Sequence, residues 1–464
     1  MRSTGDLMVR VFNVSLPGRT VVLAMSDIFA ITSALLGAAF VCGRAGVVSP
    51  SLGTGLVQIA MITLIWMPCI YYYDLYETSV LSSISEGMKR LLQVTGTACL
   101  ALGFLYLVFP RLGMPHTLLL MWVFLAGLTL GVVRWVFSVV SHSGSLSQRV
   151  ILFGSGPLAH QLYEQIRIRP ELGLRVVGSV GISGGTFGIP NLGEVEDLAE
   201  VVQREGAKHV VLTMADRRGV MPIDALFALK AGGVRILDGV NLYEEITGKL
   251  HLETLRPSTL LFSRGFRGSF IGSLLGRAYE FTLASIMLVL LSPIIALMAL
   301  AIRLDSPGPV FFRQKRVGKN SKVFVLYKLR SMYWDETDRS GTVPAGAQDR
   351  RITRVGYWLR RFRLDELPQL YNIAKGDMAF IGPRPFTCEM EADLSEKIAF
   401  YRQRWAVRPG ATGWAQVHGG YCVTLQDNIE KLSHDLYYIK NKSFGLDCLV
   451  LLKTFKILLL GKER

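Results

Sequence analysis

Apolar positions collect in long unbroken runs at the start of the chain and again past its middle. "TVVLAMSDIFAITSALLGAAFVC" ends at Cys42, and "LGTGLVQIAMITLIWMPCIYYY" runs from Leu52 to Tyr73. "LLQVTGTACLALGFLYLVF" ends at Phe109, and "TLLLMWVFLAGLTLGVVRWVFSVV" begins at Thr117. Each approaches the roughly 20 residues that carry a helix across a bilayer core. Such runs in succession, with Trp and Tyr near their ends, predict a four-helix transmembrane bundle over residues 1–145 rather than core helices of a soluble domain. The first run is too long and too late for a signal h-region, and no small-residue cleavage site follows it. Arg2, Arg10 and Arg19 precede the first span, Lys89 and Arg90 open the third, and Arg134 and Arg149 lie at or beyond the end of the fourth. The other connections carry only Arg44 and Arg111. Positive charge therefore predicts a cytoplasmic N-terminus and a cytoplasmic chain after residue 140. Asp27, inside the first run, is expected at a helix-packing or shallow interfacial position.

From residue 149 the period changes. "RVILFGSGPLAHQLYEQI" reads as strand, glycine turn and helix, and "LRVVGSVGI", "HVVLTM" and "GVRILDGV" as further short buried strands between helices. Residues 146–265 are thus predicted to form a Rossmann-like, doubly wound α/β module. The turn Gly154-Ser155-Gly156-Pro157-Leu158-Ala159 fits the GxGxxA dinucleotide pattern. The second strand, however, runs into "GISGGTFG" without the acidic residue a ribose requires. A degenerate, non-redox module is the reading adopted, with NAD binding the alternative.

The later apolar run, Phe281 to Ile302, contains Ser292-Pro293. Its length alone fits a fifth span. An interior proline removes a backbone donor and clashes with the preceding turn, so a sharp break is predicted, with Ser292 capping the freed backbone. A complete crossing would also export a strongly cationic remainder. A re-entrant helix over about 277–304 keeps Arg277 and Arg303 at one face. The closing stretch "LDCLVLLKTFKILLLGKER" suits a helix in the membrane interface or a plain core helix, and "WDETDRSGTVPAGAQDRR" is expected to be a mobile loop.

The 464 residues allow two or three domains, and the net charge of +15 asks for an anionic counterpart. Nucleic acid, lipid headgroups and phosphorylated substrates all qualify. Six cysteines without a CxxC pair support neither a disulfide framework nor a zinc site, and fit a reducing compartment.

Chemistry concentrates in "LRRFRLDELPQL", residues 359–370, where Asp365 and Glu366 stand beside Arg360, Arg361 and Arg363. Asp365 could cap a helix that runs through "LPQLYNIAK" to Gly376, and a helix N-terminus also attracts phosphate. Three arginines are more cation than a cap needs, and "IGPRP" adds Arg384 between stiffening prolines. Carboxylates ringed by guanidiniums suit phosphoryl transfer, in which Arg neutralises phosphate while a carboxylate attacks or holds Mg²⁺.

The blocks "FFRQKRVGKNSKVFVLYKLRSM", "RITRVGYWLRRFRLDELPQLYNIAKGDMAFIGPRP" and "VRPGATGWAQVHGG" resemble, in order and spacing, the bacterial sugar transferase family. These are polyprenyl-phosphate glycosyl-1-phosphate transferases with a monotopic α/β catalytic domain, here residues 272–464. The N-terminal spans plus the α/β module resemble the large members that initiate exopolysaccharide or capsule synthesis. The resemblance implies transfer of a sugar-1-phosphate from a UDP-sugar to undecaprenyl phosphate, with UMP released. It implies Asp365 as nucleophile, forming an aspartyl-phosphosugar, and Glu366 binding Mg²⁺ or handling protons, with the metal shared between the two in an undecided way. Lys328 and Arg384 match phosphate-handling positions. Arg360 is a third, with Arg361 and Arg363 as rivals, and Arg408 either contacts the nucleotide or makes a structural turn. His418 stands where the family pattern has Asn, and His434 and Asp435 are read as structural. The implied setting is the bacterial inner membrane, multi-pass, with the catalytic domain on the cytoplasmic face among membrane lipids, without nucleic acid, and with a homodimer through the sheet module as a further expectation. The sugar stays open between glucose, galactose and an N-acetylated amino sugar. Two rivals differ in class: a nucleotide-sugar oxidoreductase or epimerase centred on Gly154, Gly156 and Ala159, which lacks a nearby Tyr-x-x-x-Lys pair, and a non-enzymatic scaffold for polysaccharide assembly.

Overall fold

The computed structural model describes residues 8–11, 14–42, 52–77, 84–110, 115–142, 147–154, 156–181, 188–214, 221–255, 257, 260, 270–334, 349–419 and 424–460. Ser155, Cys422 and most of the expected mobile loop, 335–348, lie outside them. The chain parts into two compact units between Ile246 and Thr247, with Phe12–Val14 grouped in the second.

In the first unit a short two-stranded sheet, β1 (Met8–Val11) and β2 (Val14–Pro17), leads into α1 (Gly18–Val41), α2 (Leu52–Tyr72), α3 (Ile84–Val108) and α4 (His116–His142). Ile31, Trp66, Val94, Leu102, Trp122 and Leu130 meet in a fully buried interior, while Phe29, Leu64, Leu100, Phe104 and Phe124 point outward and are exposed. A bundle apolar on both faces has lipid as its solvent. The helices in α1, α3 and α4 are long and apolar enough to cross a membrane; the well-described part of α2, Val57–Tyr72, is shorter. Asp27 is fully buried and takes both Arg134 nitrogens, at 2.9 and 2.8 Å, plus the Tyr76 hydroxyl at 2.9 Å. It therefore occupies a packing position. The same contact corrects the charge tally, because Arg134 lies within α4 and inside the bundle rather than at the end of the fourth span.

Strands β3 (Gln148–Phe153), β4 (Leu174–Val180), β5 (Asn191–Gly193), β6 (His209–Leu212) and β7 (Arg235–Asp238) form one parallel sheet in the order β5-β4-β3-β6-β7. Alternation along β3 explains the two covered faces. Val150 and Leu152 enter one core with α5 (Pro157–Arg167) and α8 (Gly239–Thr247). Ile151 and Phe153 enter the other with α6 (Leu198–Glu205) and α7 (Ile223–Ala231). Gly154 closes β3 at φ 105, where an added Cβ would come within 2.5 Å of Met214 Cγ, so glycine is required by packing as well as by backbone.

The second unit takes in chain that the sequence pattern assigns to the sheet module. The Gly248 carbonyl accepts from Trp414 Nε1 at 2.7 Å and bonds His434 Nδ1 at 3.1 Å. Leu250 N donates to Ser433 O at 3.1 Å, and Lys249 pairs with Glu430 at 2.7 Å. These bonds set the division near 247 rather than near 265.

Helix α9 (Phe270–Asp305) runs without interruption through Ser292-Pro293. Pro293 leaves the Val289 carbonyl without its helical donor, and Ser292 Oγ donates to that same oxygen at 2.8 Å. Both ends of α9 attach to the same unit. Arg277 NH1 donates to Ile373 O at 2.7 Å, and Asp305 Oδ2 accepts from Val355 N at 3.1 Å. Ala284 and Leu288 pack against Leu370 and Ile373, and Met298 and Ile302 against Leu329 and Leu359. The remaining face presents Val289, Leu290, Leu297, Leu300 and Leu304 as an exposed apolar stripe.

The hairpin β8 (Phe311–Val317) and β9 (Val323–Leu329) is antiparallel, and β10 (Ala379–Ile381) pairs in parallel with β11 (Gly410–Thr412). Around them lie α10 (Arg354–Arg361), α11 (Gln369–Lys375), α12 (Cys388–Lys397), α13 (Trp414–His418), α14 (Leu425–Asn441) and α15 (Phe444–Leu460). Helix α15 puts Leu446 and Val450 in the core, while Leu452, Phe455 and Leu458 are exposed.

Candidate active site

Arg363, in the left-handed region at φ 53, ends α10 and starts a 3-10 turn over Leu364–Glu366. Pro368 follows at the N-cap of α11, and Gly376, at φ 100, closes that helix. Asp365 therefore caps nothing: α11 begins four residues later and is only seven residues long, so the expected N-terminal phosphate site falls away. What the turn achieves is to set the adjacent carboxylates in different surroundings.

Glu366 Oε1 accepts from Lys328 Nζ at 2.8 Å and from Arg384 NH2 at 2.9 Å. Lys328 comes from β9, opposite Phe312 in the hairpin register, and Arg384 from the loop after β10. Burial pushes the Glu366 pKa up, but these two cations override it and hold the carboxyl well below its usual range. Asp365 is 9 % exposed and accepts no side-chain hydrogen bond among the described residues. Burial raises its pKa against the pull of Lys328, with Glu366 adding to the rise and Arg360 and Arg384 opposing it. One carboxylate is tied down as a counter-ion; the other is buried, unbonded and more basic than usual.

Of the three neighbouring arginines, Arg360 acts on Asp365, and its buried NH1 has no hydrogen-bond partner among the described residues. Arg361 lies over the exposed rings of Trp358 and Phe362, at 5.4 and 6.0 Å. The structure does not bring Arg408 to the carboxylates: its NH2 pairs with Glu280 of α9 at 2.6 Å.

Two contributors escaped the sequence reading. Arg404 is buried between Glu391 (3.0 Å) and Asp435 (2.9 Å), and its NH2 donates to the Arg384 carbonyl at 2.8 Å, fixing the "GPRP" loop. Asp435 is thus structural in a specific sense, as the counter-ion of that brace. Neighbouring His434 is held neutral, its pKa lowered to about 4 by burial, and stacks on His418 at 5.3 Å. His418 itself bonds the Trp414 carbonyl at 2.9 Å. The second is Arg316, whose charge reaches both Arg384 and Glu366. Strand alternation was the available signal, since Arg316 shares a face with buried Gln314, whereas Arg313 and Lys315 point to solvent.

Comparison with known proteins agrees with this geometry. Residues 271–461 match the family described as bacterial sugar transferase, and residues 72–227 match the family described as CoA-binding domain, in keeping with the parallel sheet. An undecaprenyl-phosphate glucose phosphotransferase of Komagataeibacter xylinus is 32 % identical over 78 % of this chain and 68 % of its own length. A UDP-glucose:undecaprenyl-phosphate glucose-1-phosphate transferase of Escherichia coli K12 is 34 % identical over 68 % of each chain. A UDP-N-acetylgalactosamine-undecaprenyl-phosphate N-acetylgalactosaminephosphotransferase of Aeromonas hydrophila is 41 % identical over 47 % of this chain, which spans about half the length of that relative. By sequence over most of its length, and by a catalytic half whose carboxylate pair lies amid lysine and arginine, this membrane-associated chain belongs to the bacterial sugar transferase family.

Proposed function

We propose that the protein transfers a sugar-1-phosphate from a UDP-hexose to undecaprenyl phosphate, releasing UMP, as the first membrane step of exopolysaccharide or capsule synthesis. The relatives carry these substrates in their names, two of them with glucose and one with N-acetylgalactosamine. Glucose therefore heads the donor panel. The observation that carries the reading is the split between the two carboxylates: Glu366 occupied by Lys328 and Arg384, Asp365 buried and, among the described residues, without a side-chain hydrogen bond.

In the proposed sequence an Asp365 oxygen attacks the phosphorus that bears the sugar. A P–O bond to the acyl oxygen forms, the bond to the bridging oxygen breaks, and UMP leaves with that oxygen. A phosphate oxygen of the lipid then attacks the same phosphorus and returns Asp365 as carboxylate. Lys328, Arg360 and Arg384 neutralise the phosphate oxygens throughout. Among the described residues no three His, Cys, Asp or Glu side chains gather as a metal cage. Asp365 and the second carboxylate oxygen of Glu366, the first being taken by Lys328 and Arg384, are the groups that would hold a Mg²⁺, an ion suited to hard oxygen ligands. When bound, it would supply further charge neutralisation to the diphosphate.

The attachment of both ends of α9 to one unit supports a re-entrant placement, with the apolar stripe of Val289, Leu297 and Leu304 in the inner leaflet and the carboxylates at headgroup level on the cytoplasmic face. Asp365→Asn is expected to abolish UMP release from every donor of the panel; full activity in that variant would end the proposal. Single cysteines at Leu275 and Val310 should label from the same side of the membrane.

A further inference from the structure

Helix α10 has two unlike faces. Leu359, 3 % exposed, packs with Met298 and Ile302 of α9, and Leu364 and Leu367, on either side of the carboxylate pair, join the same cluster. The long apolar helix, α10 and the turn that carries Asp365 therefore share one small core. On the other face Trp358 and Phe362 are 54 % and 57 % exposed. They stand one helical turn apart, with rings nearly parallel at 11° and centroids 6.0 Å apart. Tyr357 meets Trp358 edge-on at 5.5 Å, and the Arg361 guanidinium lies over both the Trp358 and Phe362 rings.

This ledge continues an apolar surface, because Leu297, Leu300 and Leu304 are exposed on the half of α9 that supports α10. At its other end stands Arg360, half-buried, whose NH1 is buried and has no hydrogen-bond partner among the described residues. The Arg360 charge acts on Asp365, which accepts no side-chain hydrogen bond among the described residues. A guanidinium donor left open beside the nucleophile asks for an anion, and exposed rings beside an apolar stripe ask for a hydrocarbon. One molecule that meets both demands is a long apolar chain ending in a phosphate. We propose that Trp358, Phe362 and Arg361 form the entry ledge for the polyprenyl-phosphate acceptor: the chain lies along the two rings, Arg361 meets the phosphate on arrival, and Arg360 receives it beside Asp365. This rests on the transferase reading, in which a phosphate oxygen of the lipid bonds to phosphorus as the Asp365 oxygen leaves. The ledge belongs to the acceptor alone and acts after UMP has departed. Basic residues in a last helical turn also complement the helix dipole, a role that predicts no preference between substrates. Surface rings that merely rest on a bilayer predict an effect that needs the bilayer.

The test uses the purified full chain in detergent micelles, with undecaprenyl phosphate and geranyl phosphate as acceptors. In a two-step exchange, kcat/KM for each substrate reports its own half of the reaction. The double variant Trp358→Ser/Phe362→Ser should lower kcat/KM for undecaprenyl phosphate about tenfold and leave kcat/KM for the UDP-sugar as in wild type, with geranyl phosphate losing less. Arg361→Gln should lower both lipids alike, with partial recovery in Arg361→Lys. Unchanged lipid kcat/KM in micelles, a loss seen only in vesicles, or equal losses for lipid and UDP-sugar overturns the assignment. Should the double variant fail to fold, Trp358→Ser and Arg361→Gln singly decide by the same criteria. If the wild type releases no UMP with any donor, the transferase reading falls and calorimetry with undecaprenyl phosphate judges the ledge: weaker binding in the variants keeps it, and equal binding removes it.

Discussion

Asp365→Asn should make the protein more stable while removing its activity. The carboxyl is buried, and burial raises its pKa beyond what Lys328, Arg360 and Arg384 offset. A folded-state pKa above the unfolded one means that folding favours the protonated acid. The contribution is fully present below the unfolded value of 3.8 and is lost as pH rises through the folded pKa. At pH 7 the ionised side chain therefore weakens the fold. Relieving a strained functional group of this kind typically returns about 0.5–2 kcal/mol. In a unit of some 150–250 residues, 1 kcal/mol moves Tm by about 2–4 °C. Asp365→Asn should thus melt about 3 °C above wild type at pH 7, and the gap should close as pH falls toward 4, where protonated Asp and Asn carry the same charge. Thermal melts of the full chain in micelles between pH 4.5 and 8, read beside UMP release, check both halves. A lower Tm for the variant at pH 7, or a gap that ignores pH, would refute the reasoning.

Glu366→Gln should act in the opposite direction, because it keeps an acceptor oxygen but removes the negative charge that faces Lys328 and Arg384; discounted for the partial exposure of Arg384, the loss is about 1–3 kcal/mol. The Glu366 pKa is depressed, so its contribution is full above 4.5 and fades below it, and acid melts of wild type should show a loss that the variant lacks. Arg404→Met leaves Glu391 and Asp435 buried without their cation and should cost about 3–5 kcal/mol, seen as a collapse of Tm or of expression. In the bundle, Arg134→Met alone should lower the melting temperature more than the double variant Asp27→Asn/Arg134→Met, since only the single change strands a buried carboxylate.

Elements set by local pattern were legible in the sequence. The apolar runs marked helices, the alternation of β3 marked a strand covered on both faces, and the basic surroundings of Asp365 and Glu366 marked the site. Lys328 and Arg384 could be named because each sits in a distinctive short block, and both reach Glu366. What stayed hidden depends on partners far along the chain. Arg134 looked like a flanking charge until Asp27, 107 residues away, claimed it. Arg408, open between a nucleotide contact and a structural turn, pairs with Glu280, 128 residues earlier on α9. The expected cap at Asp365 failed because Arg363 adopts a left-handed turn and Pro368 delays the helix. Arg404 carries no motif at all; only burial between two acids reveals it.

The double acceptance by the Gly248 carbonyl sets a limit on how this chain could be shortened. An enzyme pared down to start at residue 265 would keep every residue named for chemistry, yet the Trp414 indole and the His434 ring would lose the oxygen they share. Their buried nitrogens would then face a gap beside α14, the helix whose next residue, Asp435, anchors Arg404. A working minimal form has to begin no later than Thr247, or replace both side chains with ones that ask for no partner.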